Sequence, residues 1–241
     1  KDTIIQQRLI PNAMEPRSAV ANWTNATGEL TLWSTSQNPH ICRFLASLVT
    51  GIGEHKIRVI ATEVGGGFGS KIPMYADEMI ASFCSMQLGR PVKWTATRSE
   101  GFQATIHGRD HVEYVEMAAT REGKITAIRT KIYAGMGAYL STAGPGVPTI
   151  LHGLIYSGPY DVGATKADIY GVFSNTTPTD AYRGAGRPEA TFLVERLVDL
   201  LAVELDTDPV ELRRKNLIPK FEEGHDVASG ITYDSGDYEP L

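Results

Sequence analysis

Hydrophobic and polar positions divide the chain into short strands and amphipathic helices. A β-branched run at residues 56–63 predicts a strand. Apolar residues spaced three or four positions apart predict helices beginning near Pro39, Pro73 and Pro188, because proline is favoured in a first helical turn. Asp208-Pro209-Val210-Glu211 predicts the N-terminus of a last short helix. Further strands are predicted at residues 3–9, 19–23, 29–34, 91–97 and 164–173.

Two segments with an imperfect alternation, which leaves the buried face open, indicate the fold class. Residues 110–120 and 125–133 flank the turn Arg121-Glu122-Gly123-Lys124 and predict a β-hairpin. A chain built only of βαβ units would not contain a hairpin, so we predict an α+β fold with a mixed or antiparallel sheet packed against helices. We expect one subdomain at residues 1–220, with an irregular glycine-rich loop at 135–148, and a polar tail at 221–241 without a closing element.

Composition and charge narrow the range of functions. The 241 residues are 42% hydrophobic and 21% charged, which is typical of a globular protein, and the net charge of −5 gives no reason to expect a nucleic acid partner. No apolar run approaches the roughly 20 residues of a membrane span. Cys42 and Cys84 lack partners at metal-ligand spacing, so we expect no iron–sulfur or zinc site in this chain but two small buried hydrophobic residues in a reducing, cytoplasmic compartment.

A glycine-rich stretch, Val64-Gly65-Gly66-Gly67-Phe68-Gly69-Ser70-Lys71, separates the strand at 56–63 from the helix predicted after it. Such a loop can expose backbone N–H groups to an anion. It is not a Walker loop, since Ser70 precedes Lys71, and it does not contain the dinucleotide fingerprint Gly-x-Gly-x-x-Gly. The alternative is a tight turn with no ligand.

A second glycine-flanked loop, Asp180-Ala181-Tyr182-Arg183-Gly184-Ala185-Gly186, precedes the helix at Pro188. The Arg183 guanidinium could form paired hydrogen bonds with an oxyanion, or it could form only a surface salt bridge. Gln37 lies just before the helix at Pro39, where its amide could reach a ligand. We expect Phe68, Gly69 and Arg183 to lie close enough to contact one anionic ligand.

In this order and spacing, Gln37-Asn38-Pro39, the loop at 65–71 and the loop at 181–186 resemble the molybdopterin-binding large subunit of molybdenum hydroxylases. That family includes xanthine dehydrogenase, aldehyde oxidoreductase and aerobic carbon monoxide dehydrogenase. Two further matches are Ile10-Pro11-Asn12-Ala13-Met14-Glu15-Pro16-Arg17 and Val210-Glu211-Leu212-Arg213-Arg214-Lys215-Asn216-Leu217. The resemblance extends over the whole length.

The resemblance implies a molybdopterin cofactor, expected as a dinucleotide, whose molybdenum has no protein ligand. Gln37 would hydrogen-bond an oxo ligand of the metal. In the first loop, Phe68 and Gly69 would present N–H groups to the metal centre and the pterin. Arg183 and its neighbours would hold the pterin side. The implied cofactor-binding residues are Gln37, Gly66, Gly67, Phe68, Gly69, Ala181, Tyr182, Arg183 and Gly184.

Two positions depart from known family members. Members that oxidise carbon monoxide carry a cysteine at the position of Gly184, so the resemblance favours an aldehyde or an N-heterocycle over CO as substrate. Purine-oxidising members carry a glutamate after the loop lysine, where this chain has Ile72.

Family large subunits are considerably longer, and their catalytic glutamate would lie beyond Leu241. We therefore expect a fragment containing the first cofactor-binding subdomain, with no catalytic residue of its own, inactive and without molybdenum when isolated. The implied partners are an iron–sulfur small subunit, an FAD-binding medium subunit and the rest of the large subunit. Two other functions stay open: a phosphate- or nucleotide-binding module, and a non-catalytic structural subunit.

Overall fold

The structure is a computed structural model that describes residues 1–239. The helices and strands follow in the order β1 (Asp2–Gln6), β2 (Ser18–Thr24), β3 (Glu29–Ser34), α1 (Pro39–Thr50), β4 (Ile57–Ala61), α2 (Ala76–Leu88), β5 (Val92–Thr95), α3 (Arg98–Ala104), β6 (His111–Ala119), β7 (Ile125–Gly137), a π-helix (Val147–His152), β8 (Ala164–Phe173), α4 (Arg187–Glu204), α5 (Pro209–Asn216), β9 (His225–Asp226) and β10 (Thr232–Tyr233).

These elements form two compact units. The first unit contains Lys1–Leu9, Gly108–Thr179 and the chain from Gly184 onward, and the second contains Ile10–His107 and Asp180–Arg183. Within the part of the chain that the structure describes, no helix is both long and apolar enough to cross a membrane.

The second unit is built on a four-stranded sheet in the order β4-β3-β2-β5. Strands β3 and β4 are parallel, whereas β2 is antiparallel to both of its neighbours. Apolar residues of the strands and of α1 and α2 form its core, among them Leu30, Leu32, Ala46 and Met79. Cys42 is buried in this core, and burial raises the pKa of its thiol to about 12, while Cys84 is half-buried; both are free.

The first unit contains a sheet in the order β1-β6-β7-β8. Strands β6 and β7 form the predicted hairpin, and β8 is parallel to β7. One face of α4 packs on this sheet through Leu193, Val194, Leu197 and Val198, as its apolar spacing predicts. Mixed sheets packed against helices confirm the predicted α+β class.

Several predicted boundaries need correction. Helix α2 begins at Ala76, three residues after Pro73, because the Tyr75 N–H donates to the Glu78 carboxylate at 2.6 Å and fixes the N-terminus there. In the predicted irregular loop, β7 extends to Gly137 and the π-helix begins at Val147.

The strands and helices that were not predicted are short. Helix α3 has seven residues, and its N-terminus is capped by Thr97, whose Oγ accepts a hydrogen bond from the Glu100 N–H. In the tail, β9 pairs with β10 and Phe221 pairs with Gly236. The last two residues of the predicted tail, Pro240 and Leu241, lie outside the described residues.

Candidate functional site

The glycine loop follows β4 and has an unusual backbone. Gly66, Phe68 and Gly69 have φ values of 91°, 53° and 104°, in the left-handed region. Glycine adopts that region without cost, but a bulky residue such as Phe68 rarely does. Such strained positions concentrate at ligand-binding sites, and the Phe68 side chain is exposed.

Gln37 holds the loop from one side. Its side-chain oxygen accepts hydrogen bonds from the backbone N–H groups of Gly69 (2.9 Å) and Lys71 (3.4 Å). The backbone N–H of Gln37 donates to the Lys71 carbonyl. A Cβ atom added at Gly67 would lie 2.2 Å from the same side-chain oxygen. A side chain at position 67 would therefore have to displace the Gln37 side chain from the loop.

Glu15 holds the loop from another side. Its Oε2 accepts hydrogen bonds from the Lys71 ammonium at 2.8 Å and from the Gly65 N–H at 2.9 Å. The Lys71 side chain is only 1% exposed, so this carboxylate neutralises a buried charge. Burial raises the pKa of Glu15, but the hydrogen bonds from Lys71 and Gly65 outweigh that effect and lower it below the ordinary value.

The second loop meets the first within the second unit. The Arg183 N–H donates to the Phe68 carbonyl at 2.9 Å, and the guanidinium carbon lies 5.7 Å from the centroid of the Phe68 ring. A Cβ atom added at Gly69 would lie 1.8 Å from the carbonyl oxygen of Ala181. The expected proximity of Phe68, Gly69 and Arg183 is confirmed.

Only some of the expected donors remain available for a ligand. The Gly69 N–H is already bound to Gln37. Among residues 1–239, the N–H groups of Gly67 and Phe68 and the side-chain nitrogen of Gln37 have no hydrogen-bond acceptor. Two backbone donors of the loop and one side-chain amide donor packed against it suit the oxygen atoms of an anion or an oxo group.

The N-terminus of α2 does not contribute to this anion site. Four residues separate Lys71 from the start of the helix at Ala76, and Asp77 and Glu78 occupy its first turn. Carboxylates at a helix N-terminus already satisfy the positive end of the helix dipole. The expectation that the first loop leads directly into a helix N-terminus is therefore wrong.

Gly184 follows Arg183 and belongs to the first unit. Its φ is 100°, and an added Cβ atom would lie 2.5 Å from Cγ of Pro188. A larger residue here would strain the backbone and displace the proline ring. Gly184 was an expected cofactor-binding residue, but the tight space beside Pro188 has no signal in the sequence.

Glu15 and Arg17 support the site but were not among the expected site residues. Arg17 is buried against the Tyr75 ring, 3.9 Å from its centroid, and pairs with Asp77 at 2.6 Å. Both residues lie in the stretch that supported the family resemblance. Opposite charges on either side of Pro16 were the available signal.

Free backbone and amide donors on two glycine-flanked loops in contact are features that suit an anionic cofactor. Residues 1–217 match the family model of the molybdopterin cofactor-binding domain, and the chain belongs to that family. Relatives of this chain are large subunits of molybdenum-dependent oxidoreductases.

Named relatives show the breadth of this family. The chain is 39% identical to the carbon monoxide dehydrogenase large chain of Hydrogenophaga pseudoflava, over 96% of this chain and 29% of that protein. It is 31% identical to the nicotine 6-hydroxylase large subunit of Paenarthrobacter nicotinovorans, over 96% and 28% of the two chains.

Solved structures share the fold over nearly the whole chain. Quinoline 2-oxidoreductase from Pseudomonas putida 86 has a TM-score of 0.93 and 30% identity, covering 98% of this chain and 30% of that one. CO dehydrogenase from Oligotropha carboxidovorans has a TM-score of 0.91 and 37% identity, covering 98% and 30%. The chain therefore spans less than a third of the length of these relatives.

Proposed function

We propose that this chain is the first cofactor-binding part of a molybdenum hydroxylase large subunit. The observation that carries the proposal is the contact between the two loops, with Arg183 N–H bound to the Phe68 carbonyl at 2.9 Å. This contact places the unpartnered donors of the first loop beside a guanidinium group. Membership of the family makes molybdopterin the expected ligand.

The proposed binding residues act as hydrogen-bond donors and as packing surfaces. Gly67 and Phe68 would donate their backbone N–H groups, and Gln37 would donate its side-chain N–H₂ to an oxo group. Gly66 and Gly69 allow the turn, while Ala181, Tyr182 and Arg183 would line the pterin side. When bound, the cofactor supplies a two-electron redox centre for hydroxylating a carbon atom with oxygen from water.

We favour the dinucleotide form of the cofactor, because a long ligand needs contacts beyond these loops. The catalytic base would be a glutamate outside this sequence. Electrons would pass to an iron–sulfur subunit and an FAD-binding subunit, and the complex would be cytoplasmic. These partners and this location follow from the resemblance.

We propose an aldehyde or an N-heterocycle as the substrate. The names of two relatives, nicotine 6-hydroxylase and quinoline 2-oxidoreductase, refer to N-heterocycles. Family members that oxidise CO carry a cysteine where this chain has Gly184. The left-handed backbone of Gly184 and its contact with Pro188 also disfavour a side chain there.

Analysis of molybdenum and of released nucleotide in the complete large subunit tests the cofactor assignment. Gln37→Glu keeps the oxygen that binds Gly69 but replaces the free donor with an acceptor. Losing a hydrogen bond to a charged group costs about 1.5–3 kcal/mol, or roughly ten- to a hundredfold in affinity. We therefore expect molybdenum content to fall without loss of thermal stability.

Arg183→Ala should lower cofactor content as well. Arg58→Ala is the matched control, since Arg58 is an exposed arginine on β4 of the same unit. A complete subunit without molybdenum or nucleotide, or full occupancy in both Gln37→Glu and Arg183→Ala, would refute the assignment. The isolated chain should contain no molybdenum, and stoichiometric metal with turnover would show that it holds the cofactor alone.

Activity assays of the complete complex test the substrate class. We expect turnover of aldehydes or N-heterocycles and none of CO. Gly184→Cys should not confer CO oxidation, because copper insertion requires more than one thiol and the substitution strains the loop. CO turnover by the unaltered complex would contradict the substrate proposal and leave the cofactor assignment intact.

A further inference from the structure

Three side chains that commonly bind metal ions meet in the interior of the first unit. His111 and Glu113 are two residues apart on β6, so both side chains point to the same face of the strand. His152 is the last residue of the π-helix. The three residues are 2%, 0% and 0% exposed.

The spacing of their ligand atoms is close to that of a metal site. Glu113 Oε1 lies 3.1 Å from His111 Nδ1 and 3.4 Å from His152 Nε2, and all three ligand atoms lie within 4.8 Å of one another. Ligands of a tetrahedral Zn²⁺ with bonds of about 2.0–2.2 Å lie roughly 3.3–3.6 Å apart. Only small movements would bring these atoms to bonding distance.

The cluster also contains polar atoms without partners. Within residues 1–239, Glu113 Oε2 and His152 Nδ1 are buried and have no hydrogen-bond partner, and His152 Nε2 faces Glu113 Oε1 at 3.4 Å without hydrogen-bond geometry. Buried polar groups normally form hydrogen bonds, and burying a carboxylate with too few of them has a high free-energy cost. A bound cation would satisfy the carboxylate and one nitrogen of His152 together.

We propose that His111, Glu113 and His152 bind a divalent metal ion, and that this ion is Zn²⁺. His111 Nδ1, His152 Nε2 and both oxygens of Glu113 would supply four donor atoms. Two imidazoles and one carboxylate are a donor set that suits Zn²⁺, whereas Mg²⁺ and Ca²⁺ prefer oxygen ligands alone.

The ion would have a structural role. It would join β6 to the π-helix, a rare conformation that often marks functional sites. A Cβ atom added at Gly186, the N-cap of α4, would lie 2.4 Å from the Val147 carbonyl oxygen and 3.0 Å from the His152 nitrogen. The π-helix therefore supports the chain where α4 begins. This inference concerns the first unit alone and does not depend on the proposed function.

Metal content after expression tests the proposal. Because all three side chains are buried, the ion would enter as the unit folds. The 241-residue chain would be expressed in zinc-supplemented and zinc-depleted media, desalted with a weak chelator and analysed by mass spectrometry. We expect one equivalent of Zn²⁺ from supplemented medium and a melting temperature several degrees higher than that of the depleted protein.

Two variants localise the metal. Glu113→Gln keeps the side-chain volume, and His152→Ala removes one ligand; both should lose zinc and the zinc-dependent rise in melting temperature. His40→Ala and His55→Ala are matched controls at exposed histidines and should keep both. Expression with Co²⁺ should give visible absorption bands typical of a four-coordinate site in the unaltered chain and not in Glu113→Gln.

Two results would overturn the proposal. One is a folded, unaltered chain with substoichiometric zinc and equal melting temperatures from both media. The other is a folded Glu113→Gln chain that still holds one equivalent of zinc. If His152→Ala does not fold, the Glu113→Gln and cobalt results still decide the question.

Discussion

The ion pair between Glu15 and Lys71 holds the glycine loop in place, and Glu15→Gln is the sharpest way to test that role. The substitution keeps a side-chain oxygen that can accept the Gly65 N–H but removes the charge facing Lys71 at 2.8 Å. The Lys71 side chain is 1% exposed, so its ammonium group would be left buried without a counter-charge.

The expected loss of stability follows from this burial. Removing one partner of a fully buried ion pair costs about 3–5 kcal/mol. The Glu15 side chain is 35% exposed, so water already screens part of the pair, and we expect a loss nearer to 2 kcal/mol. Lys71→Met removes the buried charge and should cost less. The double variant should therefore be more stable than Glu15→Gln alone.

Chemical denaturation of the four proteins in this double-mutant cycle gives the coupling energy, and hydrogen exchange of residues 64–71 shows where the change lies. Glu63→Gln is the matched control, because Glu63 is exposed and follows β4. Additive effects of the two substitutions, or a Glu15→Gln loss within about 0.5 kcal/mol of the control, would refute the reasoning.

The remaining predictions concern Glu78 and Gly69 of the same unit, with Gly146 of the first unit as a control. Burial raises the pKa of Glu78 to about 7, although Arg17 opposes the effect, so the folded state takes up a proton as the pH falls from about 7 toward 4.5. Stability should rise over that window by up to roughly 3 kcal/mol, and Glu78→Gln should remove this dependence in denaturation curves measured across the range. Gly69→Ala should destabilise by more than about 2 kcal/mol, because its Cβ would overlap the Ala181 carbonyl oxygen and its φ is 104°. Gly146→Ala, with an ordinary φ of −73° and nothing within 4 Å of the added atom, should be nearly neutral in the same thermal melts.

Much of the fold was predictable because its signals are local. Strands β3 and β8 have the predicted bounds. The β6–β7 hairpin and the Asp208 cap of α5 are also local, and Asp208 accepts hydrogen bonds from the N–H groups of Val210 and Glu211.

The elements that escaped prediction depend on distant contacts or are very short. The π-helix begins in a segment rich in glycine and proline, and the N-cap of α4 packs against it across 39 residues of sequence, from Val147 to Gly186. Helix α3 is too short to show a helical period, although Thr97 and Glu100 form a recognisable capping pair. For the site, the loop proximity was predictable, but the Glu15 contact spans 50 residues and has no local pattern.

The glycines of the first loop have a different role from the one their sequence suggests. Added Cβ atoms at Gly65, Gly67 and Gly69 would clash with Glu15, Gln37 and Ala181 respectively. The loop is glycine-rich because protein groups pack against it on several sides, and its capacity for a ligand is confined to a few donors. A glycine substitution would therefore disrupt the loop before it affected a cofactor. Loss of cofactor in such a variant would therefore say little about direct contact with the cofactor. The side-chain oxygen of Gln37 is bound to the loop and its nitrogen is free, so Gln37→Glu can separate loss of loop structure from loss of a cofactor contact.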